Sequence, residues 1–217
     1  MLHLLFPPAC ISCGVLLGRG RDRPFARFLC GGCATAAAAL PAPLRAVNGI
    51  HAVLPYQPPW STALTRVKFG GQMALSGPLG ALIASSPHLR ATPSGAAWDG
   101  VVAVPLHWRR LCARGFDQAL LLALAATRGR DAPPVLRRAM LRTRPTPPQS
   151  RLSADKRLSN LRRAFKARRP AALANRRILV LDDVTTTGAT LASCAEAVRA
   201  AGAKEVGALA LLRTLPG

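Results

Sequence analysis

Negative charge is what this chain has least of. Nine Asp and Glu face 30 Lys and Arg in 217 residues, giving a formal net charge of +21 and a pI of about 11.7. Aromatic residues are scarce too, with one Tyr, three Trp and six Phe, so a broad platform for stacking single-stranded bases is not evident. No apolar run is long enough to span a bilayer. Residues Met1 to Cys10 lack the basic stretch and long apolar core of a signal peptide. A cytoplasmic location without membrane insertion is therefore expected. His51, His88 and His107 show no metal-ligand spacing, and no internal repeat is visible.

What is present starts with the excess of positive charge. Such a surface attracts polyanions, and nucleic acid and pyrophosphate-bearing substrates both qualify. Arginine far outnumbers lysine, and alanine and proline are abundant, so genome base bias is a competing source of some arginines. Half of the residues, 50%, are hydrophobic, enough for one sizeable core plus a small module. The cysteines fall into two groups. Cys10, Cys13, Cys30 and Cys33 form C-x2-C-x16-C-x2-C, within the spacing of a four-thiolate Zn2+ site. Gly14, Gly31 and Gly32 permit close turns at the two pairs. Two disulfides are the poorer reading in a reducing compartment. Cys112 and Cys194 stand alone and read as ordinary packing or surface residues.

Residues 1–45 hold the four cysteines and little else to build a core, so they read as a small zinc ribbon folded by its metal. Pro41 and Pro43 mark a linker, and residues 46–217 form the second unit. There, 50–56 reads as a strand that Pro55 places at an edge or an end. Helices are expected over 61–68 and 73–85, with a loop over 86–99. Val101 to Val104 suits a central parallel strand. A basic loop follows over 106–115, then a helix over 116–127, a turn over 128–134 and a strand over 135–141. Residues 142–152 contain three prolines and no periodicity, the pattern of a long mobile loop, and a short helix is expected over 153–160. Strands at 178–182 and 206–212 bracket a helix over 189–201, stopped by Gly202. Alternating strands and helices imply an α/β fold with a mainly parallel sheet.

Two strand ends carry chemistry, since ligands of open parallel sheets bind at the carboxyl ends of the strands. The first is Ile178-Leu-Val-Leu-Asp-Asp-Val-Thr-Thr-Thr-Gly-Ala-Thr190. An apolar strand ends in Asp182 and Asp183. A hydroxyl-rich turn follows, closed by Gly188, and leads into a helix. Helix N–H groups and the helix dipole favour an anion, and the hydroxyls of Thr185, Thr186, Thr187 and Thr190 can donate to phosphate oxygens. Carboxylates repel phosphate, so Asp182 and Asp183 must serve ribose hydroxyls or a divalent metal. A solvated turn is the plain alternative, and the scarcity of carboxylates argues against it. The second strand end is 104–118, where Arg109, Arg110 and Arg114 offer planar multi-donor contacts and Gly115 lets the chain enter the next helix. An exposed basic turn is the alternative there.

The first stretch resembles the phosphoribosyl pyrophosphate (PRPP) loop of type I phosphoribosyltransferases. The whole chain resembles the ComF (competence protein F) family. The match is carried by the paired cysteines, by Val67-Lys68-Phe69-Gly70-Gly71, by Val104 to Leu120 with its Arg-Gly-Phe-Asp-Gln-Ala sequence, by 142–165, and by the PRPP loop. The resemblance implies a zinc ribbon joined to a type I phosphoribosyltransferase fold, with PRPP and Mg2+ as ligands and a role in DNA uptake during natural transformation. It also implies individual roles. Asp182 and Asp183 hold the ribose. Thr185, Thr186, Thr187, Gly188, Ala189 and Thr190 hold the 5′-phosphate, and Arg109, Arg110, Arg114 and Gly115 the pyrophosphate. Lys68 contacts substrate phosphates or is a solvated surface lysine. Gln149, Ser150 and Arg151 lie in a loop that closes over PRPP or merely links.

Departures from the family pattern are Asp117 where Asn is frequent, Trp108 where proline is frequent, and a third threonine at Thr185. An extra carboxylate at 117 would weaken anion binding unless it caps the helix or meets Mg2+. Transfer of a phosphoribosyl group to an unidentified acceptor is the expected reaction. The alternative is a non-enzymatic, PRPP-responsive protein that binds single-stranded DNA or adapts a competence helicase.

Overall fold

The computed structural model describes residues 8–17, 28–41, 44–144 and 164–215. Its frame is a parallel sheet in the order β1-β6-β5-β2, formed by β1 (Ile50–Pro55), β2 (Gly100–Ala103), β5 (Arg177–Thr185) and β6 (Glu205–Arg213). Ile50, Ala208, Val180 and Val102 share one row across it. β5 lies inside the sheet, and Ile178, Leu179, Val180 and Leu181 are each at most 1% exposed, which explains an unbroken apolar run in place of alternation. β1 is an edge strand and ends at Pro55, where a missing N–H costs least. β2, expected to be central, stands at the other end of the sheet. A single parallel bridge from Val101 to Val135 covers its outer side, and that segment supplies the burial that made β2 read as central.

Because successive strand residues point to opposite faces, β5 feeds two cores. Leu179 and Leu181 pack with α2 (Trp60–Phe69), α3 (Ser76–Ala84) and α6 (Gln118–Ala126) through Trp60, Leu64, Val67, Leu79, Ile83 and Leu122. Ile178 and Val180 pack with α7 (Ala189–Ala200) through Leu191, Cys194 and Val198. The same core contains Met140 and Phe165, from the antiparallel pair β3 (Met140–Arg142) and β4 (Phe165–Ala167). α3 and α6 approach so closely that a Cβ at Gly80 would overlap Ala125.

Among the described residues the expected strands and helices are present with shifted bounds. The helix over 73–85 is a 3-10 turn, Met73–Leu75, running into α3, and the loop over 86–99 contains the one-turn α4 (Pro87–Arg90). The strand over 135–141 is reduced to the Val135 bridge and β3, with Arg138 at φ 57° in the turn between them. The basic loop over 106–115 is in fact helical, as α5 (Trp108–Arg114). Its boundaries have local causes: His107 caps the N-terminus, and Gly115, at φ 81°, ends it in the left-handed conformation that costs glycine nothing. Residues 145–163, which include the expected helix over 153–160 and Gln149, Ser150 and Arg151, lie outside the described residues. Among the described residues no helix is long and apolar enough to cross a membrane.

Candidate functional site

The carboxyl end of β5 brings together most of the residues picked out by sequence. Asp183 continues the Leu179–Leu181 face and meets Lys68 from the last turn of α2, Nζ to Oδ2, at 2.8 Å. Asp183 is 5% exposed. Asp182 points to the other face, where its surroundings include Arg142 on β3 and the Cys194 thiol on α7. The two adjacent acids therefore sit on opposite sides of the strand, each with a cation on its own side. Asp182 Oδ1 accepts the Asp183 N–H at 2.8 Å. Burial, and then the charge of Asp183, raise Asp182 well above the ordinary carboxylate range. The Asp183 N–H, Lys68 and Arg142 oppose that rise. Such a crowded acidic pair fits a site that receives a cation or hydroxyl donors.

Beyond the acids the chain turns at Gly188, whose φ of 82° lies in the left-handed region and whose missing Cβ leaves room for Ile50 Cδ1. Glycine is required there on both counts. Ala192 N–H bonds the Gly188 carbonyl at 2.9 Å as α7 begins, so the preceding N–H groups form the open end of the helix. Thr186 and Thr187 are exposed on this turn and Ala189 and Thr190 are half-buried. Thr187 Oγ1 accepts the Ala189 N–H at 3.5 Å. Thr185 differs from its neighbours: it is the last residue of β5, 4% exposed, and lies beneath the turn rather than on it.

α5 supplies the basic wall. Arg109 and Arg110 are exposed in its first turn. His107 is 4% exposed, and its Nδ1 accepts the Arg109 N–H at 3.3 Å. Burial, reinforced by Arg109, Arg142 and Arg110, lowers its pKa, so it serves as a neutral cap. Arg114 is engaged within the protein, donating to Gln118 Oε1 at 2.5 Å and lying 5.3 Å from the Phe69 ring centroid. Asp117 resolves its departure from the family pattern. Its Oδ1 accepts the Leu120 N–H and its Oδ2 the Leu106 N–H, at 3.1 and 3.2 Å, so it caps α6 and fixes the segment that enters α5.

The four cysteines also converge. Their Sγ atoms all lie within 4.8 Å of one another, with Cys13 and Cys30 3.7 Å apart. Tetrahedral thiolates at about 2.3 Å from Zn2+ would be roughly 3.8 Å apart, so the quartet fits such an ion. The second pair opens α1 (Gly31–Ala38), with Cys30 at its N-cap. The expected turn glycines Gly31 and Gly32 thus begin a helix. Burial raises the Cys10 thiol, but N–H groups of Cys30, Cys13 and Ser12 outweigh it and bring it down to about 6. Burial and the neighbouring thiols push Cys33 up to about 12. A shared cation would relieve that imbalance.

Sequence reasoning missed Arg142 and Arg66. The loop expected over 142–152 takes in Arg142, whereas in the structure that residue ends β3, where Met140, Leu141 and Arg142 alternate buried, exposed, buried. Arg66 lies beside the Val67-Lys68 block, and nothing in the linear sequence relates it to the first cysteine turn, whose Cys10, Ile11 and Ser12 carbonyls it contacts.

The family profile of the phosphoribosyl transferase domain matches residues 134–215, which include the Asp182 turn. The chain therefore carries a phosphoribosyltransferase domain of the type I fold. It is 35% identical over 168 residues to DNA utilization protein YhgH of Escherichia coli (strain K12), with 75% of this chain and 71% of that protein covered. It is 32% identical over 165 residues to Competence protein F of Haemophilus influenzae, with 73% and 69% covered. The chain belongs to the ComF (competence protein F) family. Among solved structures, glutamine PRPP amidotransferase from B. subtilis complexed with ADP and GMP matches at 21% identity and a TM-score of 0.38, over 60% of this chain and 24% of that chain. That likeness is too loose to bear on function.

Proposed function

We propose that the protein binds PRPP with Mg2+ at the carboxyl end of β5 and transfers its phosphoribosyl group to an acceptor met in DNA uptake. The observation that carries this reading is the Asp182–Thr190 turn, where two acids at a strand end precede an open helix N-terminus. Asp182 and Asp183 accept the ribose hydroxyls. Thr186, Thr187 and Thr190, with the N–H groups of 187–190, hold the 5′-phosphate, and Thr185 supports the turn from below. As Asp183 takes a hydroxyl, Lys68 is released toward substrate phosphate. The C1–oxygen bond breaks with its electron pair leaving on pyrophosphate. Arg109 and Arg110 stabilise that departing charge, and Arg114, with Gly115, secures the end of their helix. The acceptor nucleophile then adds at C1. Asp182 and Asp183 would help hold a Mg2+ that arrives with PRPP, and that ion would supply charge neutralisation to the pyrophosphate.

Residues 1–45 act as a Zn2+-folded module on the phosphoribosyltransferase-like unit 46–217, in the cytoplasm, where reduced thiols are retained. The test is calorimetric titration of PRPP with and without Mg2+, followed by pyrophosphate release against nucleobases, nucleotides and single-stranded DNA. Mg2+-dependent binding with acceptor-stimulated release is expected, and absence of binding refutes the site.

One observation favours a second reading, PRPP-responsive binding of single-stranded DNA without transfer, in partnership with a competence helicase. Trp108 and Phe69 are 61% and 76% exposed, and Arg109 and Arg114 lie 5.4 and 5.3 Å from their respective ring centroids. Exposed aromatic faces beside arginines suit stacked bases. PRPP binding without pyrophosphate release, with DNA binding that weakens steeply with salt, supports that reading over the first.

A further inference from the structure

α2 is tied down on both flanks of its buried stripe. Trp60, Ala63, Leu64 and Val67 form the stripe, and at about 3.6 residues per turn Arg66 and Lys68 fall on opposite sides of it. On one side, Arg66 Nη1 donates to three successive carbonyls of the first cysteine turn, Cys10 at 3.2 Å, Ile11 at 3.2 Å and Ser12 at 2.9 Å. The guanidinium also covers Gly14, where a Cβ would stand 3.4 Å from Nη2. On the other side, Lys68 holds Asp183. The Arg66 carbonyl adds a third tie, accepting the Gly70 and Gln72 N–H groups at 3.0 and 3.3 Å and so closing the helix that presents Lys68. Cys10 and Ile11 are 1% and 2% exposed and share their core with Trp60 and Val67. The cysteine turn, α2 and the acidic site thus form one continuous packed unit.

The geometry points to Arg66 as a positioning residue that couples metal occupancy of the cysteine quartet to the acidic site, through the α2 turn that carries Lys68. With the quartet loaded, Cys10 and Cys13 are fixed on either side of the carbonyls that Arg66 grips, and α2 is held in register with Asp183. With the quartet empty, that grip loosens and Lys68 is no longer held to one position. The consequence for PRPP rests on the function proposed above. The coupling itself does not.

The test uses the full chain loaded with zinc. The rate of zinc transfer to excess chelator is measured for the wild type, Arg66→Met, Asp183→Asn and the double variant. Outer-sphere changes typically cost metal sites roughly 10–100-fold, so Arg66→Met should release zinc about tenfold faster or more. Asp183→Asn, remote from the sulfurs, should speed release in the wild-type background and add nothing in the Arg66→Met background. Arg66→Lys keeps the charge and puts three donors on one nitrogen but loses the planar group over Gly14, so it should release zinc faster than the wild type and more slowly than Arg66→Met. Mg2+·PRPP titrations then compare zinc-loaded with zinc-stripped protein. Stripping should weaken binding by about fivefold or more in the wild type and by clearly less in Arg66→Met, where only the shared core is lost. Equal acceleration by Asp183→Asn in both backgrounds, or none in the wild type, overturns the coupling. If Arg66→Met fails to fold, Asp183→Asn in the wild-type background and Arg66→Lys still decide it. If no form binds PRPP, the proposed function falls while the zinc-release cycle still tests the coupling.

Discussion

Removing one member of the Lys68–Asp183 pair should cost very different amounts depending on which is left behind. The pair is 2.8 Å apart, with side-chain exposures of 18% for Lys68 and 7% for Asp183. At an effective dielectric of about 20, charges at that distance attract by about 6 kcal/mol, most of which is offset by desolvating them. Lys68→Met strands the more deeply buried charge next to a second carboxylate, so the loss should approach the about 3–5 kcal/mol typical of breaking a buried pair. Asp183→Asn leaves the more exposed Lys68 with Asp182 still nearby, and the loss should be about 1–2 kcal/mol, near that of one charged hydrogen bond. The double variant should cost much less than the sum of the two. Urea unfolding of the zinc-loaded protein at neutral pH measures this, with unchanged m-values confirming that only stability has moved. If Lys68→Met costs no more than Asp183→Asn, or the two losses simply add, Asp183 is not held as a buried charge by Lys68. On the proposed function, Asp183→Asn also abolishes Mg2+·PRPP binding while remaining folded.

Three further outcomes are expected. Gly188→Ala adopts a left-handed φ costing about 1–2 kcal/mol and overlaps Ile50, adding about 1–3 kcal/mol; Ile50→Val should restore only the second part, and equal costs in both backgrounds would refute the contact. Asp182 has a folded pKa raised above its ordinary 3.8, so the native state holds a proton that the unfolded chain releases, and stability falls as pH rises from 3.8 through the raised value. Asp182→Asn removes that fall, and unfolding curves that stay parallel to wild type across the whole pH range would contradict it. Chelating the metal should unfold the cysteine module and expose the core that Cys10 and Leu29 share with Trp60, red-shifting tryptophan fluorescence; about one zinc per chain should be lost, and an unshifted spectrum would refute the shared core.

What could be read from the sequence was local. The Ile178–Leu181 run, the acids, the threonines and Gly188 follow one another within a strand, a turn and a helix, so their order alone fixes their relation in space. The cysteine pairs could be read because a metal site imposes short spacings. Pro55 marked the end of an edge strand because its missing N–H is tolerated there. α5 was missed although its caps, His107 and Gly115, were visible, because proline and glycine around a cluster of arginines read equally well as a loop. β4 has three residues, too few for any period to show, and its pairing with β3 spans residues 145–163.

The contacts that give the acids their character were beyond reach for a different reason. Lys68 meets Asp183, and Arg66 meets Cys10 to Ser12, only because α2 packs across the sheet on its Trp60–Val67 stripe, and no linear pattern encodes which partner lies on either flank of a helix. The same holds for the opposed faces of Asp182 and Asp183. Strand alternation separates any two neighbours, but only the placement of α2 on one face and β3 on the other gives each acid its own cation. Residues equivalent in the motif are therefore unequal in the fold. Asp183 is already held by Lys68, and burial and its neighbour's charge raise the Asp182 pKa. A ligand that draws on both must displace a lysine on one face and a proton on the other, so Mg2+·PRPP binding should release protons in proportion to the fraction of Asp182 still protonated. Calorimetry in buffers of different ionisation enthalpy measures that release, and a binding heat independent of the buffer at every pH would show that Asp182 does not ionise on binding.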